Sequence, residues 1–176
     1  MSNLSLAGWL ERLEQLHPSA IDLGLNRCGE VARRLDLVDT GIITATVAGT
    51  NGKGTTVAVM ESVLCASGVH CGAFTSPHLI RFNERIRVDG QEVSDETIVA
   101  AFEAIERARE EISLTYFEFG ALAALWIFKT FNVQYQLLEV GLGGRLDAVN
   151  IIDADVTVIA AIGLDHQEWL GETVDA

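Results

Sequence analysis

Residues 47–56 read VAGTNGKGTT and continue the β-branched run IITATV, residues 42–47, with which they share Val47. A short apolar run rich in Ile, Val and Thr predicts a buried strand. The glycines Gly49, Gly52 and Gly54 predict a tight connection from that strand into a helix. A junction of this kind gathers backbone N–H groups and the positive end of a helix dipole at one point, which suits a phosphate chain, and Lys53 adds a point charge there. The usual phosphate-loop pattern, G-x-x-x-x-G-K-[ST], wants glycine where Val47 stands and Ser or Thr where Gly54 stands. By itself the stretch leaves two readings open: a phosphate loop, or a tight turn carrying a solvated lysine.

Outward from this loop, helices and strands alternate. Upstream, Leu6, Leu10, Leu13 and Leu16, with Trp9 beside them, recur at helical spacing, and a second helix is predicted over residues 26–37, the two separated by HPSAIDLGLNR. Downstream, a helix carrying Val59, Val63 and Leu64 runs up to Gly68, and a short strand, HCGAFT, leads to SPHL. In RFNERIRVDGQEV the dipeptide Asp89-Gly90 signals a tight turn between two short extended runs. Helices are predicted over residues 94–111 and 117–131, then the strand YQLLEV, the loop GLGGRLDAVN and a third buried strand, DVTVIAAIG. Apolar strands separated by helices imply parallel pairing. The expected fold is α/β, a doubly wound, mostly parallel sheet with a phosphate-loop-like site. Repeats and linkers are absent, so residues 1–176 are read as one domain. Its last stretch, LDHQEWLGETVDA, starts a loop and helix and breaks off, which predicts an incomplete domain.

Composition narrows the function classes. With 49% hydrophobic residues the 176-residue chain can build a core. A formal charge of −13, from 25 acidic and 12 basic residues, repels nucleic acid and anionic membranes, so neither is expected as a partner. An anionic ligand must be met by local donors and a metal. Three cysteines, Cys28, Cys65 and Cys71, lack metal-type spacing and point to a reducing cytoplasm. The N-terminus has no leader pattern, and the longest apolar stretch, residues 119–128, is too short to span a bilayer.

The segment GTNGKGTT resembles the ATP loop of the Mur ligase superfamily, and glycine directly after the lysine resembles its folate branch. IDLGLNR, TSPHL, RFNERIRVDG, SLTYFE, LEVGLGGRLDAVN and LDHQEWLG occur in the order and at the spacing of the bacterial folylpolyglutamate synthase and dihydrofolate synthase family. The resemblance covers nearly all of the chain. Members of that family are more than twice as long, so it implies that the end of the ATP-binding domain and a C-terminal glutamate ligase domain lie outside these residues.

Such a ligase activates a carboxylate by taking the γ-phosphoryl group of ATP, forming an acyl phosphate that the amine of L-glutamate attacks. Gly49, Thr50, Asn51, Gly52, Lys53, Gly54, Thr55 and Thr56 would bind the nucleotide, with Lys53 and the loop amides on the β- and γ-phosphates and the threonines adding hydroxyls. The resemblance makes Ser76 and Glu139 ligands of a first Mg²⁺ and His166 a ligand of a second, with Lys53, Glu139 and His166 catalytic. It also places Asp22, Leu23, Gly24 and Leu25, Thr115, Tyr116, Phe117 and Glu118, and Leu146, Asp147 and Ala148 around the pterin of dihydropteroate. Tyr116, Phe117 and Leu25 suit an aromatic face, Asp22 and Asp147 its polar edge. Among the arginines, Arg81, Arg85 and Arg87 read as solvated charges, whereas Arg145 is the candidate for a substrate anion. The implied substrates are ATP, L-glutamate, dihydropteroate and reduced folates, acted on by a cytoplasmic monomer. Two alternatives stay open: another Mur-type peptide ligase, and a nucleotide-binding module without ligase activity.

Overall fold

A computed structural model describes residues 4–19 and 21–165. His166 and the helix expected after it lie outside the described residues. In chain order the elements are α1 (Leu6–Leu16), α2 (Asn26–Arg34), β1 (Ile43–Ala48), α3 (Lys53–Ala66), β2 (Cys71–Phe74), β3 (Ile86–Val88), β4 (Gln91–Glu92), α4 (Asp95–Arg109), α5 (Tyr116–Thr130), β5 (Tyr135–Glu139) and β6 (Val156–Ile159). Two 3₁₀ turns, Phe82–Arg85 and Ala148–Ile151, interrupt the connections.

The strands form one sheet in the order β4-β3-β2-β5-β1-β6. β2, β5, β1 and β6 run parallel, and the β3–β4 hairpin adds an antiparallel edge. Asp89 and Gly90 both take positive φ, 51° and 76°, as a two-residue hairpin turn requires. Register fixes the site: Val47 pairs with Glu139 and Phe74 with Leu138. The carboxyl ends of β2, β5 and β1 therefore lie side by side, where open α/β sheets bind ligands.

Helices cover both faces. On one, α3 packs Val57 against Ala45, Val47, Ala73 and Leu137. The other holds the larger core, where α5 lies between the sheet and α1, α2 and α4. α5 is apolar nearly all round, as a helix buried between two layers must be, and Phe119, Leu122, Ile127 and Phe128 are fully buried. Truncating Leu122 to alanine would cost about 2–5 kcal/mol. The three cysteines form no disulfide, although the Cys65 and Cys71 thiols meet at 3.7 Å, and two of them, Cys28 and Cys71, sit in the interior as small apolar residues.

The structure corrects four expectations. The second helix stops at Arg34, where Leu35 caps it and Asp36 turns through positive φ, so that Leu37 drops into the core. The run before Asp89-Gly90 is extended only over Ile86–Val88. Its first part is a 3₁₀ turn, because the Glu84 carboxylate gathers the N–H groups of Leu79, Ile80 and Arg81, each at 2.7 Å. Within the described residues β6 is not buried: it pairs with β1 alone, and Val156 and Ile159 are 51% and 64% exposed. Finally, Arg85 and Arg87 are not solvated. Arg87 pairs with the buried Glu61 at 2.9 Å, and Arg85 lies over two aromatic rings.

Candidate active site

The loop between β1 and α3 places Gly49 and Gly52 at φ 135° and 85°. A side chain at Gly49 would meet Ala160 and the Ala161 carbonyl at 3.1 Å, and Gly52 opens α3 in the left-handed region that glycine tolerates best. Lys53 is the first residue of α3 and folds back over the loop, its Nζ donating to Gly49 O at 2.7 Å and Thr50 O at 3.4 Å. Not every expected donor is turned to the centre. The Thr50 and Asn51 amides donate to Ala161 O at 2.8 and 3.3 Å, and the Thr56 hydroxyl donates back to Gly52 O. Thr50 Oγ1 also binds both backbone groups of Gly163, which ties the loop to the chain after β6.

Beside the loop, Glu139 ends β5 with only 4% of its surface exposed. Desolvation raises its pKa, opposed by the Ser76 N–H, the charges of Lys53 and Arg87, and the Gly54 N–H. The Ser76 amide donates to Glu139 Oε2 at 3.0 Å. Lys53, Ser76 and Glu139, expected at strand ends from the sequence, thus converge at the ends of β1, β2 and β5. Among the described residues no group of three or more His, Cys, Asp or Glu side chains could hold a metal alone. One carboxylate and one hydroxyl are hard oxygen donors, and they fit a Mg²⁺ ion that keeps waters and takes further ligands from phosphate.

One cavity of about 1700 Å³ joins this corner to the residues assigned to the pterin. Lys53, Ser76, Asp22, Gly24, Thr115, Tyr116, Phe117, Glu118, Leu146, Asp147 and Ala148 all line it, as does Arg145. Leu23 does too, but Leu25, expected as an apolar face, caps α2 and does not. Several of these side chains build the wall as well as face it. Thr115 and Glu118 form the reciprocal capping box of α5, and Glu118 also pairs with Arg27 at 3.2 Å. The Asp147 carboxylate accepts N–H groups from Gly141, Leu142 and Val149 and so folds the glycine loop around itself. Its burial pushes the carboxyl up to about 6 despite those bonds. Asp22 pairs with Arg27 at 2.8 Å and with His17 Nε2 at 3.2 Å. Phe117 packs against Phe74 with ring centroids 5.7 Å apart.

Three residues of the site were not singled out from the sequence, His17, Arg27 and His78, and a fourth, Arg85, reads there as a solvated charge. Arg27 and His78 lie inside IDLGLNR and TSPHL, so those segments were visible while their roles were not. His17 bridges Asp22 and the Ser113 hydroxyl, 96 residues away, a contact no spacing signals. His78 accepts from Arg85 Nε at 2.7 Å, and desolvation followed by the Arg85 charge lowers its pKa.

No family model matches the chain. Over 166 residues it is 55% identical to the dihydrofolate synthase/folylpolyglutamate synthase of Escherichia coli K12, a match covering 94% of this chain and 39% of that protein. The solved structure of E. coli FolC in complex with DHPP and ADP superposes with a TM-score of 0.96 at 53% identity, covering 98% of this chain and 42% of that one. The bifunctional folylpolyglutamate synthase/dihydrofolate synthase of Yersinia pestis, complexed with AMPPNP and Mn, gives a TM-score of 0.92 at 51% identity, covering 98% and 42%. The chain spans about two fifths of the length of these relatives. The glycine loop, the glutamate ending β5 and the cavity beside the loop therefore sit in a known framework: this chain belongs to the dihydrofolate synthase/folylpolyglutamate synthase family and matches the N-terminal portion of its members.

Proposed function

We propose that this chain carries the ATP-binding part of a ligase that joins L-glutamate to dihydropteroate and to reduced folates. The observation that carries the reading is the single cavity running from the Lys53 loop to the aromatic and acidic residues around Asp22 and Phe117. A nucleotide at one end and a flat acceptor at the other would meet near Ser76 and Glu139.

In the proposed reaction an acceptor carboxylate oxygen attacks the γ-phosphorus, the bond to ADP breaks, and an acyl phosphate forms. The glutamate amine then attacks the acyl carbon, phosphate leaves, and the amine gives up a proton. Lys53 neutralises charge on the transferring group once its ammonium exchanges the Gly49 and Thr50 carbonyls for phosphate oxygens. Glu139 and Ser76 would hold Mg²⁺, which when bound would neutralise phosphate charge. A second Mg²⁺ position near His166 belongs to the same proposal. Asp22, held by His17 and Arg27, and Tyr116 and Phe117 would bind the pterin. The reading places the protein in the cytoplasm, without nucleic-acid or membrane partners. No helix among the described residues is long and apolar enough to cross a membrane.

The test is glutamate-dependent ATP hydrolysis by the full-length protein carrying this sequence, with dihydropteroate, a reduced folate and a peptidoglycan-type precursor offered in turn. Turnover with the first two supports the proposal. Turnover with the third alone, or none with any, refutes it.

A further inference from the structure

Among the described residues, Arg85 is a cation in this cavity with no carboxylate within ion-pair distance. It closes the 3₁₀ turn Phe82–Arg85, and its guanidinium carbon lies 5.6 Å from the ring centroids of both Phe82 and Tyr116. Nε donates to His78 Nδ1 at 2.7 Å. An imidazole nitrogen that accepts a hydrogen bond carries no proton, so this contact orients the guanidinium without neutralising it. The neighbouring arginines behave differently: Arg87 pairs with Glu61 and Arg81 with Asp95. Among the described residues no carboxylate pairs with Arg85, although the chain holds 25 acidic residues. A half-buried charge without a directly bonded carboxylate is expensive, and desolvation lowers the Arg85 pKa although Tyr116 and the more distant Glu139 oppose the shift. Arg85 lines the same cavity as Lys53, Ser76 and Tyr116.

We propose that Arg85 holds the reacting carboxylate of an aryl-acid acceptor, with Phe82 and Tyr116 fixing the plane of the guanidinium. The inference rests on the ligase reading above and names the group that receives the acceptor's charged end. The chemistry requires such a group. Two anions, the acceptor carboxylate and the γ-phosphate, must meet beside a third, Glu139, in a molecule of formal charge −13. Lys53 is taken up by the phosphate loop. A planar guanidinium anchored through Nε presents its two remaining nitrogens as a fork that matches a carboxylate. One carboxylate oxygen attacks phosphorus while the other stays on Arg85. When the amine later attacks the acyl carbon, negative charge returns to that second oxygen, and Arg85 is already in place to receive it.

The experiment measures binding of dihydropteroate, and of its analogue with hydrogen in place of the carboxylate, to full-length wild type, Arg85→Gln and Arg85→Lys. Arg85→Gln should weaken dihydropteroate by about 10- to 100-fold while the analogue changes by no more than about twofold. Arg85→Lys should recover part of the loss, because the charge returns without the fork. The KM for ATP should not move in either variant. Equal weakening of both ligands would reduce Arg85 to a shape role and overturn the inference, and so would a loss confined to ATP. A wild type that neither binds dihydropteroate nor forms dihydrofolate would remove the ligase reading itself. An active wild type matched by Arg85→Gln in both affinities removes only the role of Arg85.

Discussion

Replacing Asp147 by asparagine tests whether the glycine loop is built around a buried charge. The residue is 3% exposed, and its carboxylate accepts three backbone N–H groups, from Gly141 at 3.0 Å, Leu142 at 2.9 Å and Val149 at 3.1 Å. Desolvation still outweighs those bonds and the nearby Lys53 charge, lifting the pKa from 3.8 to about 6. The folded state thus holds this proton more tightly than the unfolded chain. Its stabilising contribution is complete below about pH 3.8 and is lost as pH rises through about 6. Across that interval the loss amounts to about 3 kcal/mol. Asp147→Asn abolishes the titration, but the new amide offers one oxygen where two were bonded and leaves at least one loop N–H unpaired, at a cost of about 1–3 kcal/mol. At neutral pH the two effects nearly cancel, so the size of the change at one pH decides nothing. The slope decides. In urea unfolding between pH 5 and 7.5, wild type should lose about 1 kcal/mol relative to Asp147→Asn. Parallel profiles would show that the carboxylate is solvated and that the loop is not folded around it.

Lys53→Ala in the full-length protein should lower ATP turnover on the order of 10²-fold with little loss of stability, as steady-state kinetics and a thermal melt would show; near-normal turnover would return the loop to a simple turn. Glu139→Gln removes a carboxylate that is costly to bury, so the melting temperature should hold or rise by about 2–4 °C while the magnesium requirement increases. An unchanged magnesium titration would detach Glu139 from the metal. His70, raised chiefly by its bond to the Phe131 carbonyl and also by Asp89, clips β2 to the β3–β4 turn and the end of α5. Because a raised histidine contributes fully below its unfolded pKa and loses that contribution as pH rises through the folded one, His70→Gln should destabilise most in acid and least above neutrality. The loss should not exceed about 1 kcal/mol for so exposed a pair. Equal destabilisation at all pH values would show that the imidazole acts by shape.

The elements that read well from the sequence are those whose signal is local. The run before Gly49, the glycines and Lys53 announced a strand, a turn and a helix start because each property belongs to the residue itself: β-branching, freedom at positive φ, charge. Ser76 and Glu139 fell at strand ends for the same reason, and parallel strands separated by helices brought those ends to one side. Much of the remaining site depends on partners far along the chain. Hydropathy could not tell that Val156 and Ile159 stand on a strand paired on one side only among the described residues, since such a strand and a central one share the same composition. Nor could it foresee that Glu84 would curl the segment ahead of β3 by collecting three amides, which leaves no periodicity to read. Arg27 meets Glu118 across 91 residues and Arg87 meets Glu61 across 26, so whether an arginine is solvated or buried is decided by packing. Asp147 shows the division within one residue. Its place in a glycine-rich loop after a strand is written in the local sequence, while its desolvation, and hence its pKa, exists only once the loop closes over it.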